Sequence, residues 1–206
     1  MNNSFYQTAI HEDIFKRIAG YSYKQDCPLP LSELRYLHLL HKDLQGNVKA
    51  GEIICNAYIV HDLMDIFFRL YEASYPIEKI RLIDEYAADD ESSMRDNNSS
   101  CFNFRFISHT SKISKHGYGL AVDINPLYNP YVKEVAGKRV IEPATAEPYL
   151  ERSRDFPYKI ARGDFCYELF ISHGFAWGGN WEGRKDYQHF EVSDEIVRRL
   201  YHGWGE

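Results

Sequence analysis

No stretch of this 206-residue chain approaches the roughly 20 apolar residues of a membrane-spanning helix, so the sequence predicts no integral membrane segment. No charged-then-apolar leader opens it either. Met1 to Tyr23 is polar and mixed, which leaves open a cytoplasmic location or export directed from outside this sequence. No basic block or polybasic helix is present, and the formal charge of -6 is spread along the chain. That balance argues against nucleic acid or an anionic membrane surface as a partner. The four cysteines, Cys27, Cys55, Cys101 and Cys166, form no CxxC pair, which argues against cysteine-ligated zinc. Buried free thiols are a simpler expectation than disulfides, and cysteine usage does not set the compartment. Repeats and low-complexity tracts are absent. What the chain does have is a globular apolar share of 44%, abundant Tyr and Phe, and nine histidines.

Its length suits one domain with a sizeable core. Helices are expected over Glu12–Ile18, Tyr58–Ala73, Gly163–His173 and from the Ser193 cap to Tyr201. The second is the clearest, because Ile59, Leu63, Ile66, Phe67 and Leu70 recur on one helical face. Strands are expected at Gly51–Asn56, Ile77–Tyr86, Phe102–Phe106, Gly119–Ile124 and Phe190–Val192, with Leu31–Leu40 a short helix or strand. Ala87–Ser100 reads as a polar loop. The proline-rich, charged stretch 128–157 reads as a long surface insertion. Without a βαβ rhythm, the pattern points to an α+β fold.

Two segments carry the chemistry: Ser114-Lys115-His116-Gly117-Tyr118-Gly119-Leu120-Ala121-Val122-Asp123 and Asp186-Tyr187-Gln188-His189-Phe190-Glu191. Two imidazoles and a carboxylate, His116, Asp123 and His189, are a ligand set for zinc, whose catalytic sites leave a fourth position to water. On a strand, Leu120, Val122 and Ile124 face the core, while Gly119, Ala121, Asp123 and Asn125 share the other face and leave room before the carboxylate. Glu191 shares a face with His189 and is placed to orient a ligand imidazole. Asp186 is a candidate general acid/base. Arg105 suits a developing oxyanion, although an isolated arginine is more often structural. Ser114, Tyr118 and Trp177, with Trp181, are candidate cleft-lining residues.

With these motifs the chain resembles the zinc D-Ala-D-Ala carboxypeptidases of the VanY-like group and their relatives, the L-alanyl-D-glutamate peptidoglycan endopeptidases. The SxHxxGxAxD pattern appears as Ser114, His116, Gly119, Ala121 and Asp123, and the closing (D/E)xxH as Asp186 and His189. Phe102-Asn103-Phe104-Arg105 is similar to the family's arginine-bearing segment, and Asp123-Ile124-Asn125-Pro126 and Trp177-Gly178-Gly179 also match its flanks. An Asp at the base position resembles the endopeptidase branch.

The likeness covers roughly Gly51 to Val192. It implies an antiparallel sheet flanked by helices, hedgehog/DD-peptidase-like, in a zinc peptidase domain over 51–206; residues 1–50, outside the likeness, are expected as an N-terminal extension packed on it. It also implies one Zn2+ per chain on His116, Asp123 and His189, Asp186 as acid/base, and Arg105 steadying the tetrahedral intermediate. The implied substrates are peptidoglycan stem peptides, which favours the cell envelope as location. An alternative is a zinc-containing, non-catalytic cell-wall-binding module of the same fold. The bond cleaved and the oligomeric state are not set by the sequence.

Overall fold

The computed structural model describes residues 4–107 and 110–202. Its N-terminal part is built on an antiparallel sheet of β1 (Tyr6–Ala9), β2 (Leu34–Lys42) and β3 (Val48–Asn56), in the order β1-β2-β3. Helix α1 (Glu12–Ile18) lies between the first two strands. The 42–48 connection is tied by Asp43, whose carboxylate accepts from the backbone amides of Gln45 and Asn47. Helix α2 (Val60–Glu72) packs on β2. Its stripe of Leu63, Ile66, Phe67 and Leu70 is fully buried, as the 3.6-residue spacing requires.

The segment expected as a strand over Ile77–Tyr86 keeps only β4 (Lys79–Ile80) and then tightens into a 3-10 turn, Ile83–Tyr86. The expected polar loop contains α3 (Asp90–Arg95) and β5 (Asn98–Ser99). Asp89 caps α3 by accepting from the Ser92 amide, so the polar run is a helix start rather than a turn. Strands β4 and β5 pair in parallel. Phe102–Phe106 is not a regular strand: its amides are spent one by one on Ile54, His116 and Ser22 carbonyls.

A second antiparallel sheet, β6-β11-β9, is formed by β6 (Ala121–Asp123), later joined by β9 (Ala176–Trp177) and β11 (His189–Glu191). Between them in sequence, β7 (Tyr131–Val135) and β8 (Lys138–Glu142) form a hairpin that pairs with β10 (Arg184–Asp186), giving a third sheet, β10-β7-β8. Ala136 and Gly137 both have positive φ at the hairpin turn. Helix α4 (Phe165–Ser172) is capped by Asp164, and its Phe170 ring stacks on Phe190 at 4.2 Å. Helix α5 (Asp194–Leu200) closes the chain, its Ser193 cap accepting from the Ile196 amide. The architecture is α+β, with three small antiparallel sheets where the sequence suggested one.

Candidate metal centre

His116 sits in a 3-10 turn, Lys115–Tyr118, whose cap is the Ser114 hydroxyl, 3.3 Å from the His116 amide. Gly119 ends that turn at φ +65, and a Cβ there would lie 2.8 Å from the Asn56 backbone nitrogen. The glycine therefore satisfies both a left-handed backbone and a close approach of β3. Strand β6 follows directly and pairs with β11 in the register that sets Asp123 opposite His189. Directly opposite residues share a sheet face, and the preceding turn folds His116 back toward them.

The three side chains converge. His116 Nε2 is 3.2 Å from Asp123 Oδ2, His189 Nδ1 is 3.0 Å from Asp123 Oδ1, and the two imidazole nitrogens are 3.1 Å apart. Among the described residues this is the one His/Cys/Asp/Glu group with ligand geometry for a metal. The far nitrogen of each ring is engaged. His116 Nδ1 donates to the Cys101 carbonyl at 2.7 Å, and His189 Nε2 donates to Glu191 Oε2 at 2.9 Å. With the outer nitrogens donating, the inner nitrogens of two neutral rings would face one another and the Asp123 carboxylate as acceptors. Only a proton or a cation between them makes that arrangement favourable. The edges of a tetrahedron with zinc–nitrogen bonds of 2.0–2.1 Å are about 3.3 Å, close to the spacing here. The residues fit the ion.

Electrostatics follow from burial and pairing. Burial alone would lower the His189 pKa, but hydrogen bonds to Asp123 and Glu191 and the charges of Asp123 and Asp186 outweigh it and push the imidazole up to about 10. Burial would raise Asp123, yet His116 and His189 hold its carboxyl well below the usual range. Burial likewise opposes ionisation of Glu191, and hydrogen bonds from His189 and Lys115 hold it down. Lys115 Nζ also bonds the Val192 carbonyl and Asp194, so it fastens the ligand turn to the end of β11.

Asp186 ends β10 beside this group. Its Oδ1 is enclosed without a hydrogen-bond partner, and burial pushes its carboxyl up to about 7, with the Asp123 charge adding to the rise and the His189 and His116 charges opposing it. Gly178 makes the approach feasible: a Cβ there would lie 2.6 Å from the Asp186 carbonyl oxygen and 3.3 Å from the His189 Cβ.

Arg105 is close in backbone terms, since its carbonyl accepts from the Ser114 amide. Its guanidinium, however, is paired with Asp90 at 2.5 Å rather than with the three converging side chains. Asn103 Nδ2 also donates to Asp90, so the two residues share a partner.

The residues expected to line a cleft are mostly packed inside the protein. Tyr118 and Trp177 are each 4% exposed. Tyr118 stacks on Tyr201, and Trp177 packs on Phe190 and Tyr167 while donating to the Tyr187 carbonyl. Ser114, 6% exposed, serves as the turn cap. Trp181 is the aromatic beside the centre, with its ring 5.3 Å from that of His189. At Gly119 the space expected in front of Asp123 is taken by β3, and Ala121 is fully buried. The Cys101 carbonyl was invisible in the sequence, because any residue supplies one.

Comparison with known proteins bears on the same stretch. Residues 108–192 match the family described as D-alanyl-D-alanine carboxypeptidase. The match takes in His116, Asp123, Asp186 and His189, covers less than half of the chain, and stops short of Arg105. Curated proteins and solved structures gave no match. The family supports a peptidase, and thus a hydrolase. No helix among the described residues is long and apolar enough to cross a membrane.

Proposed function

We propose that this chain is a zinc peptidase that hydrolyses peptide bonds of peptidoglycan stem peptides in the cell envelope, as a D-Ala-D-Ala carboxypeptidase or an L-Ala-D-Glu endopeptidase. One observation carries the reading. His116, Asp123 and His189 present three inward-facing donor atoms next to Asp186, a carboxyl poised near neutrality with one oxygen unpartnered. A purely structural zinc site has no use for such a neighbour. The pairing of Asp123 with His189 across β6 and β11 supports taking this sheet and its flanking helices as a hedgehog/DD-peptidase-like core.

Zinc held there would supply Lewis acidity and acidify bound water toward a pKa of about 7. The chain's own residues do the rest. Asp186 accepts a proton from the attacking water and returns it to the departing amine, for which a carboxyl near pH 7 is well matched. Glu191 and the Cys101 carbonyl fix the orientation of the two imidazoles. Arg105 reaches a developing oxyanion by loosening its pair with Asp90.

The test is digestion of purified sacculi with and without a chelator, followed by mass spectrometry of the muropeptides. Loss of a terminal D-Ala identifies a carboxypeptidase, and a freed L-Ala end identifies an endopeptidase. Binding without release of amino groups would instead identify a non-catalytic module. Asp186→Ala should cut turnover about 10²–10⁴-fold while zinc content stays near one per chain. Undiminished turnover in that variant removes Asp186 from the mechanism.

A further inference from the structure

The β10-β7-β8 sheet extends one wall away from the metal centre, and its register fixes which side chains share the face of Asp186. Asp186 stands opposite Tyr131, and Arg184 opposite Lys133. Tyr131 and Lys133 in turn stand opposite Glu142 and Val140. Because side chains alternate along a strand, one face carries the row Asp186, Tyr131, Glu142. Two residues further out, roughly 7 Å along the strands, Arg184 and Lys133 stand side by side on that face. Trp181 links the outer pair to the metal centre. Its ring lies 5.3 Å from the His189 ring, and the Arg184 guanidinium sits 4.6 Å over it.

Two cations directly opposite one another weaken a sheet. Of the other cations around the centre, Arg105 pairs with Asp90, Lys115 with Glu191 and Asp194, and Lys185 donates to the Trp181 carbonyl. Arg184 and Lys133 are exposed, and neither joins an ion pair among the described residues. The hairpin's own acids do not serve them. Glu142 feels the charge of Arg105, and Glu134 stands opposite Arg139 on the other face.

We propose that Arg184 and Lys133, with Trp181 holding the guanidinium flat, form a subsite for a substrate carboxylate one or two residues from the bond to be cut. The inference rests on reading Asp186 and its neighbours as the reacting centre. An extended peptide advances about 3.3–3.6 Å per residue, so two residues span the gap from Asp186 to this pair. A guanidinium stacked on an indole keeps its N–H edge free for bidentate contact with a carboxylate. The stack also reduces the ordering cost on binding.

The experiment compares stem-type peptides that differ only in whether the acid one or two residues from the scissile bond is free or amidated. Zinc-loaded wild type should favour a free acid about 10–100-fold in kcat/KM, as expected for a charge-assisted hydrogen bond. Arg184→Gln and Lys133→Gln should bring that ratio close to one. Arg69→Gln, which removes the same charge from helix α2, should keep it. Equal rates for acids and amides in wild type, or a ratio that survives in both variants, overturns the subsite. Calorimetric binding of the same peptides to metal-free protein separates this from the hydrolytic reading. Acid-selective binding lost in Arg184→Gln supports the subsite even where nothing is cut, and equal Kd values reject it.

Discussion

Two inward-facing imidazole nitrogens lie 3.1 Å apart beside the Asp123 carboxylate, and a metal and a proton are rivals for the space between them. With the His189 pKa pushed up to about 10, the metal-free protein holds that proton at pH 7. Zinc uptake near neutrality should therefore release a proton, visible as a dependence of the calorimetric enthalpy on the buffer. Apparent affinity should rise about tenfold per pH unit until His189 deprotonates. Metal-free stability has the opposite sign. A raised folded-state pKa contributes fully below about 6.5 and is lost as pH climbs through about 10. The melting temperature of metal-free protein should fall over that window, and the decline should be shallower with zinc bound. Gly178 offers a second test at this scale. Gly178→Ala forces a methyl against the Asp186 backbone 2.6 Å away, so Asp186 must shift relative to His189. Turnover should drop about 10²-fold, with zinc affinity much less affected. Equal losses in both would show that the glycine serves the ligands instead.

At the level of elements, the parts legible in the sequence were those whose geometry is local. The stripe on α2 and the caps at Asp164 and Ser193 are each written within a few residues. The motif spacing pointed to side chains that the β6–β11 register brings together, with Asp123 opposite His189. Long-range pairing was not legible. Nothing near Tyr131 announces that it lies opposite Asp186, so a stretch read as a surface insertion supplies a sheet partner for the proposed base. Trp177 and Trp181 could not be ranked either, since a Gly-rich run does not say which indole is buried. Helix α3 was missed although its Asp89–Ser92 cap is a recognisable start. Asp89→Ala should cost about 1 kcal/mol in chemical denaturation, within the usual range for a lost N-cap. Because α3 carries Asp90, the partner of Arg105, and none of the three converging ligands, the same change should leave zinc affinity unaltered.

For the molecule as a whole, the N-terminal sheet and the metal centre are tied at one seam. The Asn56 amide donates to the Gly119 carbonyl, and its side chain donates to the Tyr118 carbonyl and the Tyr201 hydroxyl. The Tyr201 hydroxyl in turn donates to Glu33. Strand β2 also covers β3 along its whole length. Deleting residues 1–50 should consequently expose β3 and the α2 stripe and yield aggregated protein, as judged by circular dichroism and gel filtration. A soluble, zinc-binding truncation would show that the two parts are separable. Behind that seam lie three fully covered sulfhydryls, Cys55, Cys101 and Cys166, with Cys27 half-buried nearer the surface. Alkylating reagents should reach Cys27 first and the others only when the molecule opens, which makes the chain its own stopwatch for breathing motions. Since the Cys101 carbonyl steadies His116, occupancy of the centre should slow modification at that position more than at Cys166.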